Sequence, residues 1–313
     1  MSSDLDDLRA LVADIVSREP ESLWDTLGEV GLTTIGIPEE HGGAGGGLAE
    51  LATVAGALAE HGVNVPLIDF NTGRWAARDA AAGEVTVGRA GPAGATVLAA
   101  WARSASRLVL LVDGQERAGL IDLGAPGVTV TTGAGPLGEH LDRVTVPDAG
   151  TAEPVSGPSA TEILTRLGIL RSAALAGATR GAYRLTRKYL REREQFGKPL
   201  VRIPSVATAM AAMRVEVIQA ETALERALES ETADAAAVAR VLTGQAASTV
   251  ARAAHQLHGA MGITREYPLH RLTRYLWAWR DADAAEVDWA SRLADRVIEG
   301  GEEFMWAELT ATV

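Results

Sequence analysis

The sequence predicts a mainly helical protein with a small β region set between two helical parts. Three observations carry this. Apolar residues recur every three to four positions through the first 80 residues. Short β-branched runs broken by glycine and proline follow, from about Gly83 to Pro158. Long helical stripes then run from Ser159 to near the end. The segments read this way are an N-terminal helical domain (1–80), a reduced middle β-domain (81–158) and a C-terminal helical bundle (159–313).

In the first segment Leu5, Leu8, Val12 and Ile15 share one helical face. Pro20 can open a second helix, with Leu23, Leu27 and Val30 facing inward. A β-like run from Thr33 to Ile37 ends at Pro38, a glycine run from His41 to Gly47 breaks the chain, and Leu48 to His61 resumes a helix. In the middle, Leu108–Val112, Gly119–Leu123, Val128–Thr131 and Val144–Val146 read as strands. In the last segment Ile163, Leu167, Leu170, Ala174, Ala178, Leu185 and Tyr189 form one stripe. Val206, Met210, Met213, Val217, Leu224 and Leu228 form a second; Ala235 to Leu257 and Val287 to Ile298 supply two more. Long stripes joined by short loops imply antiparallel helices in a bundle.

The length of 313 residues suits two or three packed domains. Hydrophobic residues make up 47% and charged ones 22%, which fits a globular chain. A net charge of -12 argues against a nucleic-acid surface. The chain has no cysteine, so disulfides, thiol catalysis and zinc–thiolate sites are excluded. The acidic start and the lack of any apolar run of 18 residues predict neither a signal peptide nor a membrane span. A soluble cytoplasmic protein is the expectation.

Some local signals are weak. The glycine run after His41 lacks the Lys-Ser/Thr ending of a phosphate loop and stands between helices, so it reads as a flexible turn. His255 and His258 are spaced to approach a metal, but two ligands do not complete a site, and packing is the favoured reading. Trp277, Trp279, Trp289 and Trp306 crowd the last 40 residues, which suits a core and a subunit or ligand surface equally.

Two stretches are specific: Tyr189 to Pro199 (YLREREQFGKP), and Gln256 to Pro268 (QLHGAMGITREYP) followed by Arg271 and Arg274. In this order they resemble the C-terminal domain of acyl-CoA dehydrogenases. Residues 24–32 (WDTLGEVGL) and 37–43 (IPEEHGG) are similar to that family's N-terminal domain. The resemblance implies FAD as cofactor, contacted across a subunit interface by Arg193, Gln195, Phe196, Gln256, Gly259, Ala260 and Gly262. Their chemistry suits that role. A guanidinium fork pairs with pyrophosphate oxygens, and the amide of Gln256 can meet an adenine edge. Phe196 offers an aromatic face, and glycine allows close backbone approach. The competing reading is that Arg193 and Phe196 only cap and pack a helix end; the combined pattern favours the cofactor.

The family base must reach the α-proton of an acyl-CoA thioester while hydride leaves the β-carbon. Ungapped counting puts the usual glutamate position at Asp283, followed by Ala284 and Ala285, and the alternative position at Leu167. Glu286 is one helical turn away. No Thr-Glu-Pro-like flavin segment is found between Gly83 and Pro158. The resemblance therefore implies the shortened subunit of a heteromeric enzyme, such as the heterotetramers of actinobacterial steroid side-chain catabolism. A full-length partner subunit would then supply the glutamate, and an electron-transfer acceptor would take the electrons. Two rivals remain at this point: a homomeric enzyme with Asp283 as base, and a non-enzymatic helical scaffold.

Overall fold

Helices α1 (Ser2–Ser17), α2 (Leu23–Glu29), α3 (Leu48–Glu60) and α4 (Leu67–Ala77) build the first part of the computed structural model. It describes residues 2–18, 21–78, 83–91, 96–133, 135, 140–147 and 152–310. Pro20, read above as a helix opener, lies outside them; the Ser22 hydroxyl caps α2 by accepting from the Asp25 amide. Leu27 is buried, but Val30 is half exposed just past the helix end, and Leu32 takes the inward place expected of it.

The expected strand Thr33–Ile37 does not form. Only Ile37 bridges, to Gly45. The carbonyls of this run are taken by buried side chains: Asn71 donates to those of Thr33 and Ile35, and Arg166 donates to that of Gly36. With its acceptors satisfied locally, the run has no need of a ladder. The glycine run is a tight turn with Gly42, Gly45 and Gly46 at positive φ, pinned by Arg74 donating to the Gly42 carbonyl.

Strands β1 (Val85–Ala90), β2 (Thr96–Ala100), β3 (Arg107–Val112), β4 (Arg117–Asp122), β5 (Thr129–Thr131), β6 (Leu141–Thr145) and β7 (Glu153–Ser159) form one mixed sheet. Their order is β5-β6-β2-β1-β3-β4-β7, with β1 and β3 parallel and the other pairs antiparallel. Three of these strands, β1, β2 and β7, were not expected. Both faces are covered. Val85, Val87, Val109 and Leu111 join the helical core, while Leu108, Leu110, Val97 and Val144 close a second core on the other face. This explains why residues 108–112 are apolar without alternation.

Helix α5 (Ala160–Glu192) starts at a capping box, in which the Ser159 hydroxyl accepts from the Glu162 amide and the Glu162 carboxylate accepts from the Ser159 amide. A two-strand hairpin, β8 (Glu194–Gln195) and β9 (Lys198–Pro199), follows. Then come α6 (Pro204–Ser230), α7 (Ala233–His258), α8 (Leu269–Arg280) and α9 (Glu286–Thr310), the last broken at Gly301. Val287 and Ile298 are exposed on α9, so its inward side is carried instead by Trp289 and Leu293.

Helices α3 and α5 cross at backbone contact. A Cβ on Gly177 would stand 2.0 Å from the Gly56 carbonyl oxygen, and one on Gly181 would stand 2.2 Å from that of Glu60. Main chain cannot yield as a side-chain tip can, so the helices would have to part. Gly177→Ala should lower stability by about 1–3 kcal/mol despite the better helix propensity of alanine. Urea denaturation would measure this, and an unchanged or raised midpoint would contradict the crossing.

Candidate functional site

The end of α5 is tied to the end of α7 by rings. Tyr189 stacks on His258 at 4.5 Å and meets Tyr267 edge-on at 5.6 Å. The Tyr189 hydroxyl donates to the His258 carbonyl. The two stretches picked out in the sequence therefore lie at one end of the bundle. Here Arg193 caps α5, its amide donating to the Tyr189 carbonyl, while its exposed side chain makes no ion pair or hydrogen bond among the described residues. Phe196 and Gly197 occupy the hairpin turn, both at positive φ, and Phe196 is 86% exposed.

On the α7 side, Gln256 and Ala260 are exposed. Gly259 has φ 58, and a Cβ there would meet nothing within 4 Å. Gly262 differs. Its Cβ would stand 2.9 Å from that of His258, so packing against its own chain already requires glycine there. Ile263, 78% exposed, and Met261 add apolar surface that the sequence reading missed. Their signal was available in the motif itself, as two large apolar residues in a short turn with no helical stripe to join. Both histidines have protein partners, as the packing reading expects. His255 is within hydrogen-bond distance of the Thr273 hydroxyl (2.9 Å), His258 is bound to the Ala254 carbonyl, and no metal-ligating cluster occurs among the described residues.

Asp283 lies elsewhere, in the loop between α8 and α9. Its carboxylate accepts from Arg171 Nε at 2.8 Å, and Arg171 Nη2 also donates to Asp69 at 2.5 Å. Arg240 fixes the same loop by donating to the carbonyls of Trp279, Arg280 and Ala282. Burial by itself would raise the Asp283 carboxyl. Arg171, then Arg240 and Arg89, outweigh it and hold the group below its ordinary value. Burial raises Asp69, which shares the same guanidinium. The group borders a cavity of about 710 Å3 between the sheet and the bundle, with Trp101, His140 and Trp277 on its walls. Leu167 is buried core, and Glu286 accepts from Gln245. Of the four late tryptophans, Trp279 and Trp289 are buried, Trp277 is half-buried and Trp306 is exposed.

Two family models match the chain: the acyl-CoA dehydrogenase N-terminal domain over residues 6–76, and its C-terminal domain over residues 158–280. The acyl-CoA dehydrogenase IpdE2 of Mycobacterium tuberculosis is 31% identical over 269 residues, 80% of this chain and 78% of that protein. The chain belongs to the acyl-CoA dehydrogenase family. The acyl-CoA dehydrogenase FadE28 of the same organism is 28% identical, over 83% of this chain and 88% of its own. Among solved structures, a variant of the Tcur3481-Tcur3483 steroid ACAD superposes with a TM-score of 0.84 at 23% identity, covering 96% of this chain and 99% of that one. The ChsE4-ChsE5 complex of Mycobacterium tuberculosis gives a TM-score of 0.76 at 23% identity, covering 94% and 97%.

Acyl-CoA dehydrogenases are FAD-dependent oxidoreductases acting on acyl-CoA. The bundle end fits such a cofactor. A guanidinium without counter-charge, an uncovered ring and an open backbone at Gly259 suit an anionic, aromatic group approaching from outside the chain. Asp283, the place that motif counting gives for a dehydrogenase base, is less suited to that task. An Asp283 carboxylate held in an ion pair, with its proton affinity lowered, is a weak proton acceptor.

Asp283→Asn tests how the loop is held. Removing one partner of a buried pair costs about 3–5 kcal/mol. The lower end is expected here, because Asp69 still faces Arg171. A depressed carboxyl stabilises the fold above its unfolded value and loses that contribution as pH falls through the folded value. The gap between wild type and variant in urea midpoint should thus be full at pH 7 and shrink below about pH 4. A gap independent of pH would contradict the ion-pair role.

Proposed function

We propose that this chain is the flavin-sharing subunit of a heteromeric acyl-CoA dehydrogenase, in which a full-length partner supplies the catalytic glutamate. The observation that carries this reading is the contrast between two sites. Arg193 and Phe196 are exposed and uncovered, while Asp283 is locked to Arg171. The reaction would be α,β-desaturation of an acyl-CoA thioester. A steroid side-chain ester is the favoured substrate class, because a structural neighbour is a steroid ACAD. The electrons would pass to a separate electron-transfer acceptor. No helix among the described residues is long and apolar enough to cross a membrane, which is compatible with a cytoplasmic location.

In this assignment Arg193 neutralises pyrophosphate charge with its fork, and Phe196 covers a planar face of the cofactor. The Gln256 amide meets adenine edge atoms, Gly259 and Ala260 let the backbone come close, and Gln195 and Gly262 hold the turns on either side. FAD, when bound, supplies the hydride acceptor. A homomeric enzyme using Asp283 is less well supported, since its carboxylate would first have to leave Arg171. A flavin-free scaffold would leave the uncovered Arg193 and Phe196 without a purpose.

Expressed alone, the chain should carry little FAD and little activity; co-expressed with its partner, the complex should be yellow. Stoichiometric FAD with acyl-CoA turnover by the single chain would overturn the reading. In the complex, Arg193→Ala should weaken FAD about tenfold to a hundredfold, as expected for one charge-assisted contact. Arg193→Lys should recover part of the loss, because charge remains without the fork. Titration of FAD into the apo-complexes measures this, and equal affinity in all three would remove Arg193 from the cofactor.

A further inference from the structure

A second concave site lies on another face of α5. Arg184, Arg187, Lys188 and Arg191 follow one another at helical spacing and line a cleft of about 650 Å3. By the same periodicity Tyr189, whose ring ties α5 to α7, points the opposite way. Arg271 of α8 faces the four from across the cleft. Its position is set by close packing: a Cβ on Gly62 would touch that of Arg271 at 3.4 Å, and Gly181 lies against the Glu60 main chain.

The charges in this cleft are not balanced. Glu60 is buried and already committed to Arg180 and Arg184. Glu192 is the one other carboxylate on the lining. Arg187, Lys188, Arg191 and Arg271 make no ion pair among the described residues. Four cations without an ion pair among the described residues, with Glu192 the one uncommitted carboxylate beside them, thus converge in one cleft of a chain whose net charge is -12. Their mutual repulsion, partly screened by water and salt, favours a concentrated counter-charge in the cleft.

We infer that this cleft binds an organic diphosphate. Two phosphoryl groups put several negative charges within the span of one cleft, and guanidinium forks from two walls can pair with their oxygens. The carboxylates of an acidic protein segment would be more widely spaced. The volume is that of a small-molecule site. Leu185, Pro268 and Leu272 give it aliphatic wall for the organic part. A free nucleotide and the nucleotide end of a coenzyme A ester both carry this chemistry.

Calorimetric titration of the full chain with inorganic pyrophosphate, ADP and coenzyme A, at low and high salt, tests the inference. Saturable binding near one per chain, weakening as salt rises, is expected. ADP and coenzyme A binding alike would indicate a free nucleotide. Tighter coenzyme A would indicate that its extra 3′-phosphate is also read; either order supports the site. Arg187→Gln with Arg271→Gln should weaken ADP at least about tenfold. Both side chains are exposed, and an unchanged circular dichroism spectrum would verify folding. The corresponding double lysine variant should restore part of the affinity. Arg193→Ala should leave ADP binding unchanged, which separates this cleft from the proposed cofactor contact. No saturable binding of any of the three probes would overturn the inference. So would equal affinity in the double glutamine variant, or loss in Arg193→Ala alone. Failure of an acidic partner protein to co-purify with the double glutamine variant, without any diphosphate binding, would assign the cleft to protein docking and overturn it as well.

Discussion

Arg171 is the point at which three separate stretches of this chain are joined. From the middle of α5 it reaches Asp69 on α4 and Asp283 in the loop after α8. Arg89 on β1 adds the sheet, donating to the Asp283 carbonyl. A guanidinium buried among helices is costly unless its donors are used, and a carboxylate beside it is costly unless paired. Each partner is thus tolerable only in the presence of the others. The arrangement fixes how the N-terminal helices, the sheet and the bundle sit together. It also limits what Asp283 can do, because a carboxylate that completes a buried ion pair is a weak proton acceptor.

The helical parts were legible because their signals are local. The stripes of α5, α6 and α7 are long, and chance rarely sustains a period of 3.6 over more than 20 residues. The strand at 108–112 was legible as an apolar run. Its neighbours were less so. Gly88 and Arg89 interrupt β1, alanine dilutes β2, and Pro154 and Pro158 argue against β7. The last is permitted because β7 is an edge strand, where a missing amide donor need not leave a ladder bond unmade. Conversely, Thr33–Ile37 has strand-like composition but loses its carbonyls to Asn71 and Arg166, partners that no local window contains.

The candidate site divides along the same line. The bundle-end residues fall in two short motifs, and the tie between those motifs is a Tyr189–His258 stack internal to them. The Asp283 ion pair could not be read, because Arg171 is 112 residues away from it and 102 from Asp69. Counting along a motif gave Asp283 its address but not its company. The basic cleft lay between these cases. The α5 cations share a visible helical face, but Arg271 joins them only through the packing of α8.

The hairpin turn at Phe196 and Gly197 has a consequence for the subunit contact proposed above. With both central residues at positive φ and Gln195 paired to Lys198, the loop has the pattern of a type I′ turn, which permits one register. A flexible loop bearing the same ring would have to be ordered on contact, at an entropic cost of about 0.5–1.5 kcal/mol for each immobilised side chain. Here the main chain is ordered beforehand, and an L-residue with a bulky side chain is kept in a conformation it rarely adopts. The strain is borne within the chain itself, so that in the proposed complex little of the free energy of association would be spent on shaping this surface.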